Sequence, residues 1–253
     1  MTLLHVAAEE GAAKIIRFSL NSLKGHENVL KSLLEATATN YKETALHLAA
    51  ARGSLDVVQC LVEHDADVNV KSDYGKTVLH WAALDNLDVV QWLVEHDADV
   101  NVKSDYGKTV LLLAAQDNKW NVVQWLVEHD ADVNVKSDYG KTVLLLAAQD
   151  DKWDVVQWLV EHDADVNVKS DYGKTVLHWA ALGNLDVVRW LVKHGVDVNI
   201  KSDCGKTVPL LAAQDNKWDV VQWLVEHGAN VNVKSNDGKT VLHHTAHYQN
   251  RYN

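Results

Sequence analysis

Arginine is nearly missing from this 253-residue chain. Arg17, Arg52, Arg189 and Arg251 are the whole supply, and the net charge is −11. A protein that grips a nucleic-acid duplex needs a basic face to displace the counterions held by the phosphates. Neither nucleic acid nor an anionic membrane surface is therefore an expected partner. Cysteine is scarcer still: Cys60 and Cys204 stand far apart and make neither a Cys-x-x-Cys pair nor a disulfide framework. That usage fits a reducing intracellular compartment. No apolar run approaches the roughly 18 residues of a membrane span. The opening MTLLHVAAEEG has no basic segment and too short an apolar stretch for a secretory signal. The expectation is a soluble protein of the cytoplasm, or else of the nucleus.

Motifs of chemistry are missing as well. There is no Gly-rich phosphate loop, no Gly-x-Ser-x-Gly, and no nucleophile beside a base and an orienting group. Asp and Glu are plentiful but periodic, the pattern of a solvated face. Enzyme activity is not expected, and nothing calls for a cofactor or a metal.

What the chain does have is a 47% share of hydrophobic residues and a period. Residues 105–137 read DYGKTVLLLAAQDNKWNVVQWLVEHDADVNVKS, and residues 138–170 repeat them with only Asn118/Asp151 and Asn121/Asp154 changed. The threonine of the recurring Lys-Thr or Glu-Thr pair falls at Thr44, Thr77, Thr109, Thr142, Thr175, Thr207 and Thr240, in steps of 33, 32, 33, 33, 32 and 33 residues. Such a period is the signature of a repeat array. Within one period, Thr77 is placed to cap a short helix through its hydroxyl, and Ala82 and Ala83 give that helix a thin side. A turn at Asp85-Asn86 follows, its asparagine suited to the left-handed conformation that ends a helix. A second helix from Leu87 to His96 carries Val89, Val90, Leu93 and Val94 on one face. Asp88 in its first turn and His96 in its last suit the helix dipole. The Asp-Ala-Asp-Val-Asn-Val-Lys-Ser-Asp-Tyr-Gly stretch from Asp97 to Gly107 predicts an extended, hairpin-like loop. Helices of about nine residues are marginal alone in water, so each pair must cover its apolar faces with neighbouring copies.

At these residues the chain resembles the ankyrin-repeat family. Gly75-Lys-Thr-Val-Leu-His-Trp-Ala-Ala83, the Val-Val helix and Asp97-Ala-Asp-Val-Asn101 match its pattern, and the resemblance covers essentially residues 1 to 247. It implies an all-α fold, a right-handed α-solenoid of stacked helix-turn-helix repeats joined by β-hairpin-like loops. The expected division is a single repeat domain over 1–253. Residues 1–38 form an atypical N-terminal capping repeat. Full repeats follow at 39–71, 72–103, 104–136, 137–169, 170–201 and 202–234, then a C-terminal half repeat at 235–253. Thr2 to Thr44 is 42 residues, nine beyond the period. The excess near Ser19 to Lys31 predicts either a longer second helix or an added one.

The chain also departs from the family pattern. The usual proline is valine or alanine, and the one proline, Pro209, comes a place later, still in the first turn. The usual histidine survives as His47, His80, His178 and His243 but is leucine at Leu112 and Leu145. In the family this histidine braces the adjacent hairpin, so those repeats are expected to be looser there. The two 32-residue repeats carry Trp81 or Trp179 in the first helix and Leu87 or Leu185 at the start of the second. Repeats 104, 137 and 202 reverse this, with Leu113, Leu146 and Leu211 against Trp120, Trp153 and Trp218. One indole per repeat is expected to fill the helix–helix corner from either side, and the turn residue lost goes with the swap.

Of fourteen histidines, His64, His96, His129, His162, His194 and His227 each end an outer helix, a full unit apart, and cannot converge on one ion. His243, His244 and His247 have a spacing that can grip a metal, but His243 already holds the structural place, so no metal site is assigned. Lysines crowd one edge. Lys76, Lys108, Lys141, Lys174, Lys206 and Lys239 precede the threonine, and Lys71, Lys103, Lys136, Lys169, Lys201 and Lys234 lie in the hairpin arm. Tyr74, Tyr106, Tyr139 and Tyr172 sit between them, with Cys204 in that place once; Gln116, Asp117, Gln149, Asp150, Gln214 and Asp215 end the inner helices. By resemblance these places line a concave groove that binds partner proteins, and exposed tyrosines suit such a surface. The resemblance also implies asparaginyl hydroxylation at Asn69, Asn101, Asn134 and Asn167; the competing reading is that these asparagines bond the hairpin backbone.

The leading expectation is a monomeric, non-enzymatic protein-interaction scaffold. The alternative is a structural, self-associating module that forms homo-oligomers. A nucleic-acid binder using the lysine row ranks last, because Asp73, Asp105, Asp138 and Asp171 interrupt it.

Overall fold

The computed structural model describes residues 1–38, 41–84 and 86–244. They fall into two compact units, Met1–Asp138 and Tyr139–Asn253. In the first, α1 (Leu3–Glu9) and α2 (Ala13–Asn21) are followed by α3 (Glu27–Leu34). The nine-residue excess is thus an added helix. Three helix pairs follow: α4 (Ala45–Arg52) with α5 (Leu55–Val62), α6 (Val78–Ala82) with α7 (Leu87–Glu95), and α8 (Val110–Gln116) with α9 (Trp120–Glu128). The second unit holds α10 (Val143–Gln149) with α11 (Trp153–Glu161), α12 (Val176–Ala180) with α13 (Leu185–Lys193), and α14 (Val208–Gln214) with α15 (Trp218–Glu226). Among the described residues the loops between pairs form no strand beyond the isolated bridges Lys71–Thr77 and Lys201–Thr207.

Each unit is a stack. In the first, α1 packs on α4, α4 on α6 and α6 on α8, while the outer helices run α2, α5, α7, α9. In the second, α10 packs on α12 and α12 on α14. Small side chains permit the approach: Ala49, Ala50, Ala82 and Ala83 are wholly buried between inner helices. Val89, Val90 and Leu93 close the outer side. Burying one such leucine contributes about 1.5–3 kcal/mol over leaving it in water, and only a stacked neighbour makes that burial available.

The threonines start the inner helices as the sequence predicts. Thr44, Thr77, Thr109, Thr142, Thr175 and Thr207 all stand in extended backbone just before the first helical residue. Pro209 lies in the first turn of α14.

The turn between helices needs a correction. Asn86 is not left-handed: its φ is −126°, and it is the N-cap of α7. Gly53, left-handed at φ 75°, ends α4, and a Cβ there would collide with the Asn86 amide. That amide is committed across the stack, its Nδ2 donating to the Ala50 carbonyl at 3.3 Å. In the longer repeats the left-handed residue is Asn118, Asp151 or Asn216, directly before the N-cap lysine of α9, α11 or α15. Between Ala181 and Leu185 of a short repeat no residue has positive φ, and Asn184 caps α13 by accepting from Val187 N at 3.1 Å. The residue that the repeat at 170–201 lacks is the left-handed one; Asp85 of the other short repeat lies outside the described residues.

The outer helices end on their histidines. Nδ1 of His96, His129, His162, His194 and His227 donates to the carbonyl of the tryptophan four residues earlier at 2.7–2.8 Å. Each imidazole stacks on that indole with centroids 3.7–3.8 Å apart. His64 makes the same bond to Cys60, at 2.8 Å. The six histidines are helix caps, one per copy.

Candidate partner-binding edge

The edge is built from the hairpin tips and the first turns of the inner helices. At one tip Ser72 N donates to Lys76 O at 2.9 Å and Gly75 N to Ser72 O at 3.0 Å, closing a tight turn that aims Tyr74 outward. Adjacent tips are laced through the backbone. In the first unit Asp73 N donates to Tyr41 O at 2.8 Å and Asp105 N to Tyr74 O at 3.0 Å. In the second, Asp203 N donates to Tyr172 O at 3.1 Å and Asn236 N to Cys204 O at 3.0 Å. The tyrosine carbonyls are thereby spent and the rings left outside, from 40% exposed at Tyr74 to 70% at Tyr139 and Tyr172.

In the first unit these rings form a ladder. Tyr41, Tyr74 and Tyr106 follow one another with centroids 5.5 and 5.8 Å apart. Tyr41 was missed in the sequence because no glycine follows it; its signal was its place 33 residues before Tyr74. Lys42 stands where the glycine would be, left-handed at φ 54°, and pairs with Asp73 of the next tip. That bond to the Asp73 carboxylate holds the Lys42 ammonium above the usual lysine range.

Five of the six lysines before a threonine are engaged within their own repeat in one of two ways, while the sixth, Lys239, pairs with Asp237 at 3.6 Å. Where the inner helix carries tryptophan, the ammonium lies over the indole: Lys76 at 4.8 Å from the Trp81 centroid and Lys174 at 4.4 Å from Trp179. Where it carries leucine, the ammonium bonds the glutamine at the helix end: Lys108 to Gln116 at 2.9 Å, Lys141 to Gln149 at 2.8 Å and Lys206 to Gln214 at 3.2 Å. The structure thus brings the predicted lysines and glutamines together. Asp117, Asp150 and Asp215 stay exposed beside them as helix C-caps.

Behind the edge the buried histidines tie repeat to repeat. His80 Nδ1 accepts from Thr77 N at 3.1 Å, and its Nε2 donates to the Lys108 carbonyl of the next hairpin at 3.1 Å. His47 reaches Lys76 O at 3.3 Å, and His5 reaches Ala36 O at 2.9 Å. His178 keeps the cap at 3.1 Å, and the Lys206 carbonyl of the next hairpin pulls its pKa up against the effect of burial, though no well-formed bond closes between them. Burial pushes His47, His80 and His178 down to about 4, so all three are neutral at pH 7. Leu112, Leu145 and Leu210 occupy this place elsewhere, without the brace. There Thr109 and Thr142 cap the helix by accepting from Leu112 N and Leu145 N at 3.4 Å.

The loop asparagines lie away from the tips and are used structurally. Asn69 Nδ2 donates to Asp97 O at 2.9 Å and its Oδ1 accepts from Asp99 N at 3.0 Å. Asn101 repeats the pair with Asp130 and Asp132 at 3.0 and 2.9 Å. Asn134 N and Asn167 N each donate to the carboxylate of the aspartate two residues back, Asp132 and Asp165, at 2.9 Å.

Among the described residues no group of three or more His, Cys, Asp and Glu side chains could hold a metal ion. His243 takes the cap role, accepting from Thr240 N at 3.2 Å, and His247 lies outside the described residues. No described helix is long and apolar enough to cross a membrane.

A family model described as ankyrin repeats, in three copies, matches residues 4–104, 73–137, 111–202 and 196–253. No curated protein matches the chain.

Proposed function

Because the chain belongs to the ankyrin-repeat family, whose repeats are in general protein–protein interaction modules, we propose that it is a non-enzymatic scaffold. In this reading it binds a partner protein along the edge of hairpin tips and inner helices, with Tyr74, Tyr106, Tyr139 and Tyr172 as anchors. The carrying observation is the state of those tyrosines: the carbonyls of Tyr74, Tyr139 and Tyr172 accept from the backbone of the next tip, Tyr106 stacks against Tyr74, and all four rings are 40–70% exposed. A rigid amphipathic ring offers contact area with little entropy left to lose, the property that makes tyrosine a frequent interface hot spot. The lysine, glutamine and aspartate positions beside them supply the polar rim. The same reading takes the repeat boundaries at 39, 72, 104, 137, 170 and 202, and an intracellular monomer.

The test is an affinity pulldown with wild type and with the variant Tyr106→Ala, Tyr139→Ala, Tyr172→Ala, with circular dichroism as the check on folding. Loss of one defined prey by a folded variant supports the edge; an unchanged prey set removes it. Hydroxylation at Asn69, Asn101, Asn134 or Asn167 has a separate test. At Asn69 and Asn101 the loop must first open, because both ends of the amide are bonded. Intact mass after exposure to an asparaginyl hydroxylase shows increments of one oxygen atom if the sites are used and none if they are purely structural.

A further inference from the structure

The scaffold reading leaves open what chemistry the edge recognises, and the second unit supplies an answer that rests on that reading. A cleft of about 460 Å³ runs across three consecutive repeats there, carrying one lysine from each: Lys141, Lys174 and Lys206. Its lining includes no aspartate or glutamate, although the chain as a whole carries −11. Leu145, Trp179 and Leu211, again one per repeat, supply apolar wall.

The ammonium groups are held in place rather than waving in solvent. Gln149 and Gln214 hold two of them at 2.8 and 3.2 Å, and the Trp179 ring holds Lys174 at 4.4 Å. An ammonium carries three N–H donors. The bond from Lys206 to Gln214 takes one, and an aromatic face attracts the charge from one side, leaving the hydrogens of Lys174 on the other. Groups already fixed lose less freedom when a ligand arrives.

The spacing selects the ligand. Packed helices lie about 8–10 Å apart, so the inner helices that these three lysines precede recur at about that interval. A polyproline-II segment has three residues per turn and rises about 3.1 Å per residue. Its every third side chain therefore points the same way, about 9 Å further on. A flat β-strand would send positions i and i+3 to opposite faces.

We propose that this cleft binds an acidic segment of a partner protein in polyproline-II conformation, with Asp or Glu at every third position set against Lys141, Lys174 and Lys206. The residues between the carboxylates pack on Trp179 and Leu211. A continuous polyanion such as single-stranded RNA fits less well, because the exposed Asp150, Asp171, Asp203 and Asp215 belong to the same three repeats.

Fluorescence anisotropy with the full chain tests this. One labelled peptide is built of repeated Glu-Pro-Ala triplets, and a second has the same composition with its glutamates grouped. The expected result is binding of the triplet peptide about tenfold tighter than the grouped one, a difference of about 1.4 kcal/mol. Lys174→Glu abolishes that preference, whereas Lys193→Glu, the same charge change on α13 of the same repeat, preserves it. Equal binding of the two peptides, equal damage by both lysine variants, or tighter binding of oligouridylate than of the triplet peptide overturns the proposal. If that happens while the tyrosine variant still loses its protein partner, the scaffold reading stands and only this inference falls.

Discussion

In the two short repeats the inner helix carries the indole, Trp81 or Trp179, and spans only Val78–Ala82 or Val176–Ala180. In three of the four long ones, those from 104, 137 and 202, the indole opens the outer helix as Trp120, Trp153 or Trp218, and the inner helix extends to Val110–Gln116, Val143–Gln149 or Val208–Gln214. Three further differences travel with this swap. The N3 position is histidine in one class and leucine in the other. The N-cap of the outer helix is asparagine in one and lysine in the other. The edge lysine rests on an indole in one and on a glutamine in the other. The lesson is that the helix on which the large side chain stands goes together with the turn and with the surface chemistry. The indole N–H groups of Trp81 and Trp120 are buried without a hydrogen-bond acceptor among the described residues, so it is volume rather than hydrogen bonding that seats them.

Acid should separate the histidine repeats from the leucine repeats most strongly. His47, His80 and His178 are held at about 4, against 6.5 in an unfolded chain. Below pH 6.5 the unfolded chain gains protons that the folded one refuses. Stability is therefore full above about pH 6.5 and falls as the pH drops toward 4, by up to about 3 kcal/mol per imidazole. Urea denaturation across that range gives the slope, and the variant His80→Leu, His178→Leu flattens it. At pH 7 His80→Leu costs about 1 kcal/mol for the lost brace to Lys108.

Next in size is the indole swap itself. Trp179→Leu alone leaves the corner underfilled and costs about 2 kcal/mol. Adding Leu185→Trp together with an asparagine inserted between Gly183 and Asn184 rebuilds a long repeat and restores most of the loss. If the single variant unfolds at the wild-type urea midpoint, the shared-corner account is wrong.

The turns give the smallest effects, of opposite sign. Asn216 is left-handed at φ 58°, so Asn216→Ala costs about 1 kcal/mol. Gly183 is not in that region, and a Cβ on it meets nothing within 4 Å. Gly183→Ala therefore stabilises by about 0.5 kcal/mol, mainly by restricting the unfolded chain. Thermal midpoints of the two variants should move in opposite directions.

Much of this was legible in the sequence. Helix pairs, threonine caps, buried alanines and Pro209 all follow from patterns spanning a few residues. The added helix α3 was one of two readings left open. The left-handed Asn86 was a misreading, because the amide's use by the preceding repeat, at Ala50 O, cannot be seen within one period. The indole–imidazole stack was readable and overlooked: Trp-x-x-x-His recurs in five outer helices, and side chains four apart share a helix face. At the edge, the positions of lysine, tyrosine and glutamine were visible. Which lysine meets a ring and which an amide was not, because that choice turns on where the indole sits.

The sequence by itself determined the period, the helix in each half of it, the caps and the apolar faces, since hydrogen bonding and patterning within a helix reach no further than about four residues. Only the tertiary structure decided what faces what between copies. Asn69 meets Asp97, His80 meets Lys108 and Tyr41 meets Tyr74, pairs 28 to 33 residues apart. Those meetings depend on the rise and rotation from one copy to the next, which are set by how alanine, leucine and tryptophan volumes fill the shared interior.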